Sequence, residues 1–413
     1  MTFTDLPPMK PASSFASFSF LKKTAVAAKF VTAFLLAAAM IPQAWAEKPT
    51  VKLAVIAEFG MKNSVSAQSI EKGIRLAAEE INAAGGVLDG RKLEVITRDD
   101  RGMPARAIDH FAEVSKIPDL VAVYSGRMSP VALELVPVAN REGVILLGTW
   151  GSASGFTRSG MQPNYVFRLS LTDSLAAGTM LRHAQARKLE NLAVFVPNTS
   201  WGRSNQAELE KIAAQSRGLN LRFKLYNWGD REFTDKLTQA RVNGAQALVM
   251  IANDLEGSQI IKQMASMSPA LRMPIIAHWG ITGGHFPELV GPALDLVDLS
   301  VVQTFSFNDA RTRRAAGVAR LYQATYGEPI KKLHAQVGFA HAYDLTHLLA
   351  MAINQAGSTK RAAVRDALEA LPAYDGLIKR YQPPFTPRNH EALDAGQVFM
   401  ARYRADGTLE RIK

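Results

Sequence analysis

The chain has 413 residues, with 48 Lys and Arg against 37 Asp and Glu, a formal net charge of +11 and no cysteine. The lack of cysteine excludes a disulfide scaffold, a thiolate metal site, an iron–sulfur cluster and a cysteine nucleophile. Charged residues make up 21% of the chain and its mean hydropathy is −0.02, values that exclude a largely disordered protein. The length allows two or three domains.

Residues 1–46 have the pattern of a signal peptide with a long N-terminal extension. Lys22 and Lys23 precede an uncharged apolar run at 30–41, and a small-x-small cleavage site ends at Ala46. The run is shorter than the roughly 20 residues that span a bilayer, and the alternative interpretation is a buried core helix. The 21 residues before Lys22 are too many for an ordinary n-region, so Met9 is a candidate start. We expect cleavage after Ala46 and a periplasmic protein that, with no cysteine after the run, is not a lipoprotein.

From residue 51 onward, short β-branched apolar runs typical of buried strands alternate with segments of helical periodicity. In chain order the pattern predicts strand 51–57, helix 69–84, strand 93–97, helix 104–116, strand 120–124, helix 130–141 and strand 144–147. It continues with strand 165–168, helix 174–187, strand 192–196, helix 206–216, strand 221–226, helix 233–243, strand 247–251, helix 256–267 and strand 275–277. Helices 313–326 and 337–355 follow, and the tail 397–409 is hairpin-like. This alternation predicts an α/β fold with parallel sheets, and so many strands favour two lobes.

No sequence motif for a phosphate loop, a dinucleotide, a metalloprotease zinc or a serine nucleophile occurs in the chain. His341, Asp344 and His347 recur on one predicted helix, where ordinary His–Asp pairs are preferred over a metal site. Asp99 and Asp100 end a predicted strand, where capping of the helix near 104 is preferred over an acid–base or metal role. We therefore expect no catalytic group, no bound metal and no cofactor, and hence no enzyme.

Three blocks of sequence carry a resemblance to a known family. Residues 73–100 read GIRLAAEEINAAGGVLDGRKLEVITRDD, a helix and strand joined by a Gly-Gly turn and closed by an Asp-Asp pair. Residues 124–148 and 230–237 add two further strand–helix regions. Together with the export signal, these blocks resemble the leucine/isoleucine/valine-binding protein family, the periplasmic receptors of ABC importers. The resemblance extends along the whole chain from about residue 51.

The resemblance implies a type I periplasmic binding protein fold, in which two Rossmann-like lobes are joined by a three-strand hinge and close on one small molecule. It places the crossings near Leu169, Val302 and Leu371. Lobe 1 would then comprise 47–169 and 303–371, and lobe 2 would comprise 170–302 and 372–413. General physics agrees, because ligands of open α/β sheets lie beyond the carboxyl ends of the strands and hinge closure around a solute is a known transition.

The first lobe is expected to hold the carboxylate of the ligand. By the resemblance, the two serines that do so in amino-acid-binding relatives correspond to Ser129 and Ser152. Ser129 and Pro130 are predicted to open a helix as N-cap and first residue, which directs backbone N–H groups toward an anion. The alternative is that Ser129 only caps its own helix. Arg127 is a candidate for a second carboxylate, with an outward position on the cleft rim as the alternative.

The second lobe is expected to contribute Trp201, where relatives carry a tyrosine, together with Asn253 and Asp254. The sequence departs from amino-acid-binding relatives at two places. Trp279 stands where they carry the glutamate that holds the α-ammonium group, and Trp150 stands where they have a small residue. Both changes remove charge or add aromatic area, so an aromatic or apolar carboxylate is at least as favoured as an amino acid. Asp254 remains a candidate for neutralising an amine.

These features predict a solute receptor that delivers a small organic acid, or an amino acid, to an ABC permease in the inner membrane. The alternative is a soluble periplasmic sensor that reports its ligand to a signalling protein.

Removal of residues 1–46 takes away four Lys and one Asp, so the net charge falls from +11 to +8. A net positive charge is typical of proteins that bind nucleic acid, but export from the cytoplasm argues against that partner.

Overall fold

The computed structural model describes residues 48–62, 64–310 and 312–412. The predicted leader and its cleavage site after Ala46 lie outside these residues. No helix within the described ranges combines the length and the apolar character needed to cross a membrane.

The first sheet is entirely parallel and forms the centre of the first lobe. Its strands are β1 (Val51–Ala57), β2 (Leu93–Asp99), β3 (Leu120–Ser125), β4 (Ile145–Gly148) and β5 (Val166–Arg168), in the order β2-β1-β3-β4-β5. The helices between them are α1 (Ser66–Ala83), α2 (Pro104–Val114) and α3 (Ser129–Glu142). Strand β3 is buried along its whole length, as expected for a parallel strand covered on both faces.

The second sheet forms the centre of the second lobe. The chain builds α4 (Asp173–Ala186), β6 (Asn191–Pro197), α5 (Ser200–Ala214), β7 (Asn220–Tyr226), α6 (Thr234–Val242), β8 (Ala247–Met250), α7 (Asp254–Ser266), β9 (Ile275–Ala277), α8 (Phe286–Val290) and β10 (Leu299–Gln303). Strands β11 (Phe399–Tyr403) and β12 (Leu409–Arg411) are antiparallel additions, which give the order β12-β11-β10-β9-β8-β6-β7. The two sheets confirm the predicted α/β fold.

Between β10 and β11 the chain returns to the first lobe through α9 (Arg313–Tyr326), α10 (Gln336–Ala356) and α11 (Arg361–Leu368). Helix α10 packs closely along α1, because Gly73 of α1 carries no side chain. A Cβ atom at Gly73 would lie 2.3 Å from the backbone oxygen of Phe339. Most residues of α10 are buried, and the helix forms part of the core of the first lobe.

The segment after Leu371 stays with the first lobe for longer than the resemblance implies. The backbone N–H of Arg168 donates to the carbonyl of His390, and that of Ala392 donates to the carbonyl of Arg168. Asp344 of α10 accepts bonds from the N–H groups of Leu377 and Ile378. These contacts favour a third crossing near 392, and the other lobe boundaries stay a prediction.

Two local predictions differ from the structure. Helix α5 begins at Ser200 rather than at 206, because Thr199 caps it by accepting the N–H of Gly202 over 3.2 Å. Asp99 and Asp100 do not cap α2: Asp99 accepts from Gly60, and Asp100 accepts from Gly102. Both carboxylates therefore fix the turns of the loop and leave the first turn of α2 without a side-chain cap.

Candidate functional site

Several predicted ligand residues follow the carboxyl ends of strands in both sheets. Trp150 follows β4, Asn253 follows β8 and Trp279 follows β9. Because parallel strands direct these ends toward the same edge, the residues meet between the lobes. One small cavity there is lined by Arg127, Met128, Ser129, Pro130, Trp150, Ser152, Trp201, Trp228, Asn253, Trp279 and Gly280. Seven of the eight predicted residues lie on it, and the eighth, Asp254, is bonded to Arg127.

A buried ion pair joins the two lobes at this cavity. Arg127 precedes α3 in the first lobe, and its Nη1 donates to Oδ1 of Asp254, the first residue of α7 in the second lobe, over 2.7 Å. The two side chains are 4% and 1% exposed. Glu58 stands on the other side of Arg127, with its Oε1 3.8 Å from Nε. The guanidinium charge is therefore compensated twice, and Arg127 is buried rather than outward on the rim.

The two serines predicted to hold a carboxylate are neighbours within the first lobe. The backbone N–H of Ser152 donates to Oγ of Ser129 over 3.2 Å, and that of Ala153 donates to the same oxygen over 3.3 Å. Ser129 is the first residue of α3 and its hydroxyl makes no cap bond, so the cap interpretation is wrong. Its hydroxyl instead holds the loop that carries Ser152 against the start of the helix.

Trp201 links the serine loop to the second lobe. It lies in the first turn of α5, and its Nε1 donates to Oγ of Ser152 over 3.1 Å and to Oδ1 of Asp173 over 3.3 Å. The ring of His278 meets it edge to face, with the ring centroids 5.1 Å apart. Nε2 of His278 lies 3.4 Å from Oδ1 of Asp173 without the alignment of a hydrogen bond.

Four indole rings surround the cavity. The centroids of Trp150 and Trp279 are 5.3 Å apart, and both rings are almost fully buried, whereas Trp228 is 36% exposed at the edge. Gly280 makes room for Trp201, because a Cβ atom there would lie 2.7 Å from the ring. The space left among the side chains is about 10 Å³, roughly the room of one water molecule. A carboxylate ligand therefore enters only when the lobes separate or the indoles turn aside.

Asp100 is a buried acid near Glu58. Burial, reinforced by the negative charge of Glu58, raises the pKa of Asp100 to about 7. Asp100 is 2% exposed and Glu58 is 1% exposed. The carboxyl of Asp100 is therefore only partly ionised near neutral pH.

The histidines singled out on α10 serve the packing of the first lobe. Nε2 of His341 pairs with Oγ1 of Thr304, and Nδ1 pairs with the carbonyl of Thr149. Burial lowers the pKa of His341 to about 4, so the ring is neutral at pH 7. Asp344 binds backbone N–H groups rather than either histidine, which corrects the expected His–Asp pairs. Among the described residues, the one metal-compatible group of this kind lies elsewhere, at His285, Glu288 and His334.

Sequence reasoning missed four members of the site. Glu58 follows β1 and flanks Arg127, and Asp173 and His278 lie beneath Trp201. Trp228 is not among the predicted residues, yet it lines the cavity. Two of these residues could have been found from their positions in the sequence, since Glu58 and His278 each directly follow a predicted strand.

The loop that carries Trp150 and Ser152 is held in place by Arg168 and by Glu391, a residue far along the chain. Arg168 is fully buried at the end of β5, and its Nη1 donates to the carbonyls of Gly151 and Ala153 over 3.1 and 2.8 Å. Its Nε donates to Oε2 of Glu391 over 2.8 Å. Glu391 lies 223 positions further along the chain. The bonds from Arg168 therefore restrain the backbone of this loop, and Glu391 fixes the position of Arg168.

Comparison with known proteins gives concordant results along the chain. A family model described as periplasmic binding protein matches residues 50–408. A protein of Brucella melitensis named Leu/Ile/Val-binding protein homolog 3 is 23% identical over 335 residues, which cover 80% of this chain and 86% of that protein. The resemblance found in the sequence is thus confirmed, although the identity is low.

Two solved structures share the fold. A branched-chain amino acid transporter substrate binding protein from Streptococcus pneumoniae, in complex with isoleucine, superposes with a TM-score of 0.74 at 21% identity, covering 87% of this chain and 98% of the other. A solute binding protein of an ABC transporter from R. palustris, in complex with benzoate, gives 0.72 at 17% identity, covering 88% and 95%. These neighbours are solute-binding proteins rather than enzymes, as expected for this chain. With two lobes, a cleft at the strand ends and a family model that matches nearly the whole described region, the chain belongs to the periplasmic binding protein family.

Proposed function

We propose that the chain is the solute receptor of an ABC importer and that it captures a small carboxylate with a flat or apolar body. The observation that carries the proposal is the convergence of four indoles and two serines on one cavity between the lobes. Indoles supply broad apolar surfaces that stack on flat groups. The serine hydroxyls beside the start of α3 can donate to an anion, and the positive end of the helix dipole favours one there.

The charges of the site support a carboxylate over a zwitterion. Asp254, the candidate for binding an amine, is already neutralised by Arg127 at 2.7 Å. Binding of an α-ammonium group there would require the ion pair between the lobes to break. By the resemblance, Trp279 takes the position where relatives carry the glutamate for that group, and it offers no charge. The structural neighbours contain both ligand types, isoleucine and benzoate. The indoles favour the second for this chain.

Export to the periplasm belongs to the same proposal. The family name and the leader pattern of residues 1–46 both support it. N-terminal sequencing of the protein recovered from the periplasm is expected to begin at Glu47. An intact leader on a protein that stays in the cytoplasm would contradict both export and import.

The ligand class is tested by titrating the purified protein with benzoate, isovalerate and leucine. A ligand that binds only the folded protein raises the melting temperature by an amount set by its concentration and Kd. We expect benzoate or isovalerate to raise it more than leucine and to bind at least tenfold more tightly by calorimetry. Leu225→Ala, an exposed change on β7, serves as the control. Tighter binding of leucine, or binding of none of the three, would contradict the proposed ligand class.

The importer role is tested by measuring uptake of the labelled ligand in source cells with and without the gene for this chain. Uptake is expected to require the chain. Uptake that continues without this chain would contradict its role as the receptor.

A further inference from the structure

A second group of functional side chains lies away from the indole cavity. His285, Glu288 and His334 each direct one potential ligand atom into a common space, and these atoms all lie within 4.8 Å of one another. The imidazole centroids of His285 and His334 are 4.5 Å apart. Nε2 of His334 lies 3.7 Å from Oε1 of Glu288.

The chemistry of the three groups fits a divalent transition metal. Two imidazole nitrogens and one carboxylate oxygen form a ligand set found in zinc sites that keep one position open. Ligands at about 2.1 Å from a tetrahedral ion stand about 3.4 Å apart. The 3.7 Å between His334 and Glu288 is already close to that value. Small side-chain rotations would bring the three atoms to bonding distance.

The surroundings leave room for a further ligand. Glu288 and His334 lie on the wall of an open cavity of about 610 Å³, which Gln303 of β10 and Thr408 also line. Water can therefore reach the fourth position of a tetrahedral ion. His285 and His334 are half-buried and Glu288 is exposed, so the ion can enter from solvent.

The three residues come from different lobes. His285 directly precedes α8 and Glu288 lies within it, in the second lobe. His334 belongs to the segment ahead of α10, in the first lobe. The next residue, Ala335, ties this segment to α1, because its carbonyl accepts a hydrogen bond from Oγ of Ser69 over 3.0 Å. The lobes also touch beside the group, because the N–H of Val65 donates to the carbonyl of Gly283 over 3.1 Å.

We propose that His285, Glu288 and His334 form a binding site for a divalent transition metal, with Zn²⁺ the best fit, that clasps the two lobes together. The full ligand set exists only in the closed arrangement, because separation of the lobes removes His334 from the other two. The ion therefore binds the closed protein more tightly and shifts the population toward it. By linkage, the ion and any cleft ligand that favours closure strengthen each other's binding. This site does not depend on the identity of the cleft ligand.

The first test is calorimetric titration of the untagged full-length chain with ZnCl₂, together with the visible absorption of bound Co²⁺. One ion per chain and a tetrahedral Co²⁺ spectrum are expected. His334→Ala should weaken Zn²⁺ binding on the order of 100-fold, since it removes a direct ligand. His183→Ala, a half-buried histidine of α4 outside the group, is the matched control. Equal Zn²⁺ affinity in the two variants, or no stoichiometric binding, would overturn the site.

The second test addresses the clasp. Small-angle scattering of the Arg127→Met variant, which lacks the ion pair between the lobes, is recorded with and without Zn²⁺. The ion is expected to lower the radius of gyration, and to have no such effect when His334→Ala is added. Stoichiometric binding with a radius that stays above that of the unmodified chain would show that the metal does not join the lobes. Melting temperatures without metal, compared with the His183→Ala control, identify any variant that fails to fold.

Discussion

The ion pair of Arg127 and Asp254 is expected to hold the lobes closed, and Arg127→Met tests it. At 2.7 Å and an effective dielectric constant of about 20, the attraction between the two charges is about 6 kcal/mol. Desolvation of each ion offsets several kcal/mol of this. Removal of one partner leaves Asp254 buried without its cation, which costs about 3–5 kcal/mol in the closed protein. Opening of the lobes relieves that cost because Asp254 then reaches water.

The variant should therefore favour the open form more than it favours unfolding. The expected results are a larger radius of gyration by small-angle scattering and a loss of ligand affinity of two to three orders of magnitude, with a small change in the free energy of unfolding. Arg98→Met is the matched control, since Arg98 pairs with Glu113 at 2.6 Å on the surface of the first lobe alone. Exposed pairs contribute about 0–1 kcal/mol.

A double-mutant cycle with Asp254→Asn separates the pair from its members. We expect a coupling energy of at least about 1.5 kcal/mol in ligand binding, because the double variant leaves no unpaired charge from this ion pair. If the two substitutions change the free energy of ligand binding additively within 0.5 kcal/mol, the ion pair does not hold the lobes closed. A radius of gyration equal to that of the control would lead to the same conclusion.

Three further predictions concern the cleft and its acid. Replacement of Ser129 and Ser152 by Ala should weaken benzoate binding by a few kcal/mol, since each charge-assisted hydrogen bond contributes roughly 1.5–3 kcal/mol; unchanged affinity by calorimetry would reject the anchor. Trp201→Ala should lose most of the affinity and most of the ligand-induced change in tryptophan emission, and a full response in this variant would show that the ring lies outside the binding surface. Because the pKa of Asp100 is about 7 when folded and near 3.8 when unfolded, its contribution to stability is full below pH 3.8 and lost as the pH rises through 7. Asp100→Asn should therefore remove up to about 4 kcal/mol of the decline in unfolding free energy between pH 4 and 8, whereas Asp109→Asn, exposed on α2, should not; equal urea-unfolding profiles would contradict this.

Much of the fold follows from periodicity, because buried parallel strands and their helices carry strong apolar patterns. Strands β1 and β9 and helix α9 lie at the predicted positions. The start of α5 was missed because its apolar repeat begins later, while its first turn contains Trp201 and Gly202. Gly202 is there for a close approach, since a Cβ atom would lie 1.8 Å from the carbonyl oxygen of Pro197. Periodicity does not register such a contact.

The positions of the site residues could be predicted, but their pairings could not. Strand ends of a parallel sheet meet at one edge, which places Trp150 and Trp279 together once the sheets are known. Arg127 and Asp254 are 127 positions apart in different lobes, and their pairing depends on how the lobes approach. The group at His285 and His334 was missed for the same reason. His285 and Glu288 are neighbours in sequence, but His334 lies far from both, and the three lack the spacing of a metal motif.

The brace between Arg168 and Glu391 has a consequence for the order in which the protein matures. The loop with Trp150 and Ser152 is synthesised early, yet its support arrives with a residue close to the end of the chain. Strands β1 to β10 all precede Glu391 in the chain, so most of both sheets can form before this loop is held rigid. Removal of the segment that carries Glu391 is therefore expected to loosen the loop with Trp150 and Ser152, although every residue that lines the cavity precedes that segment.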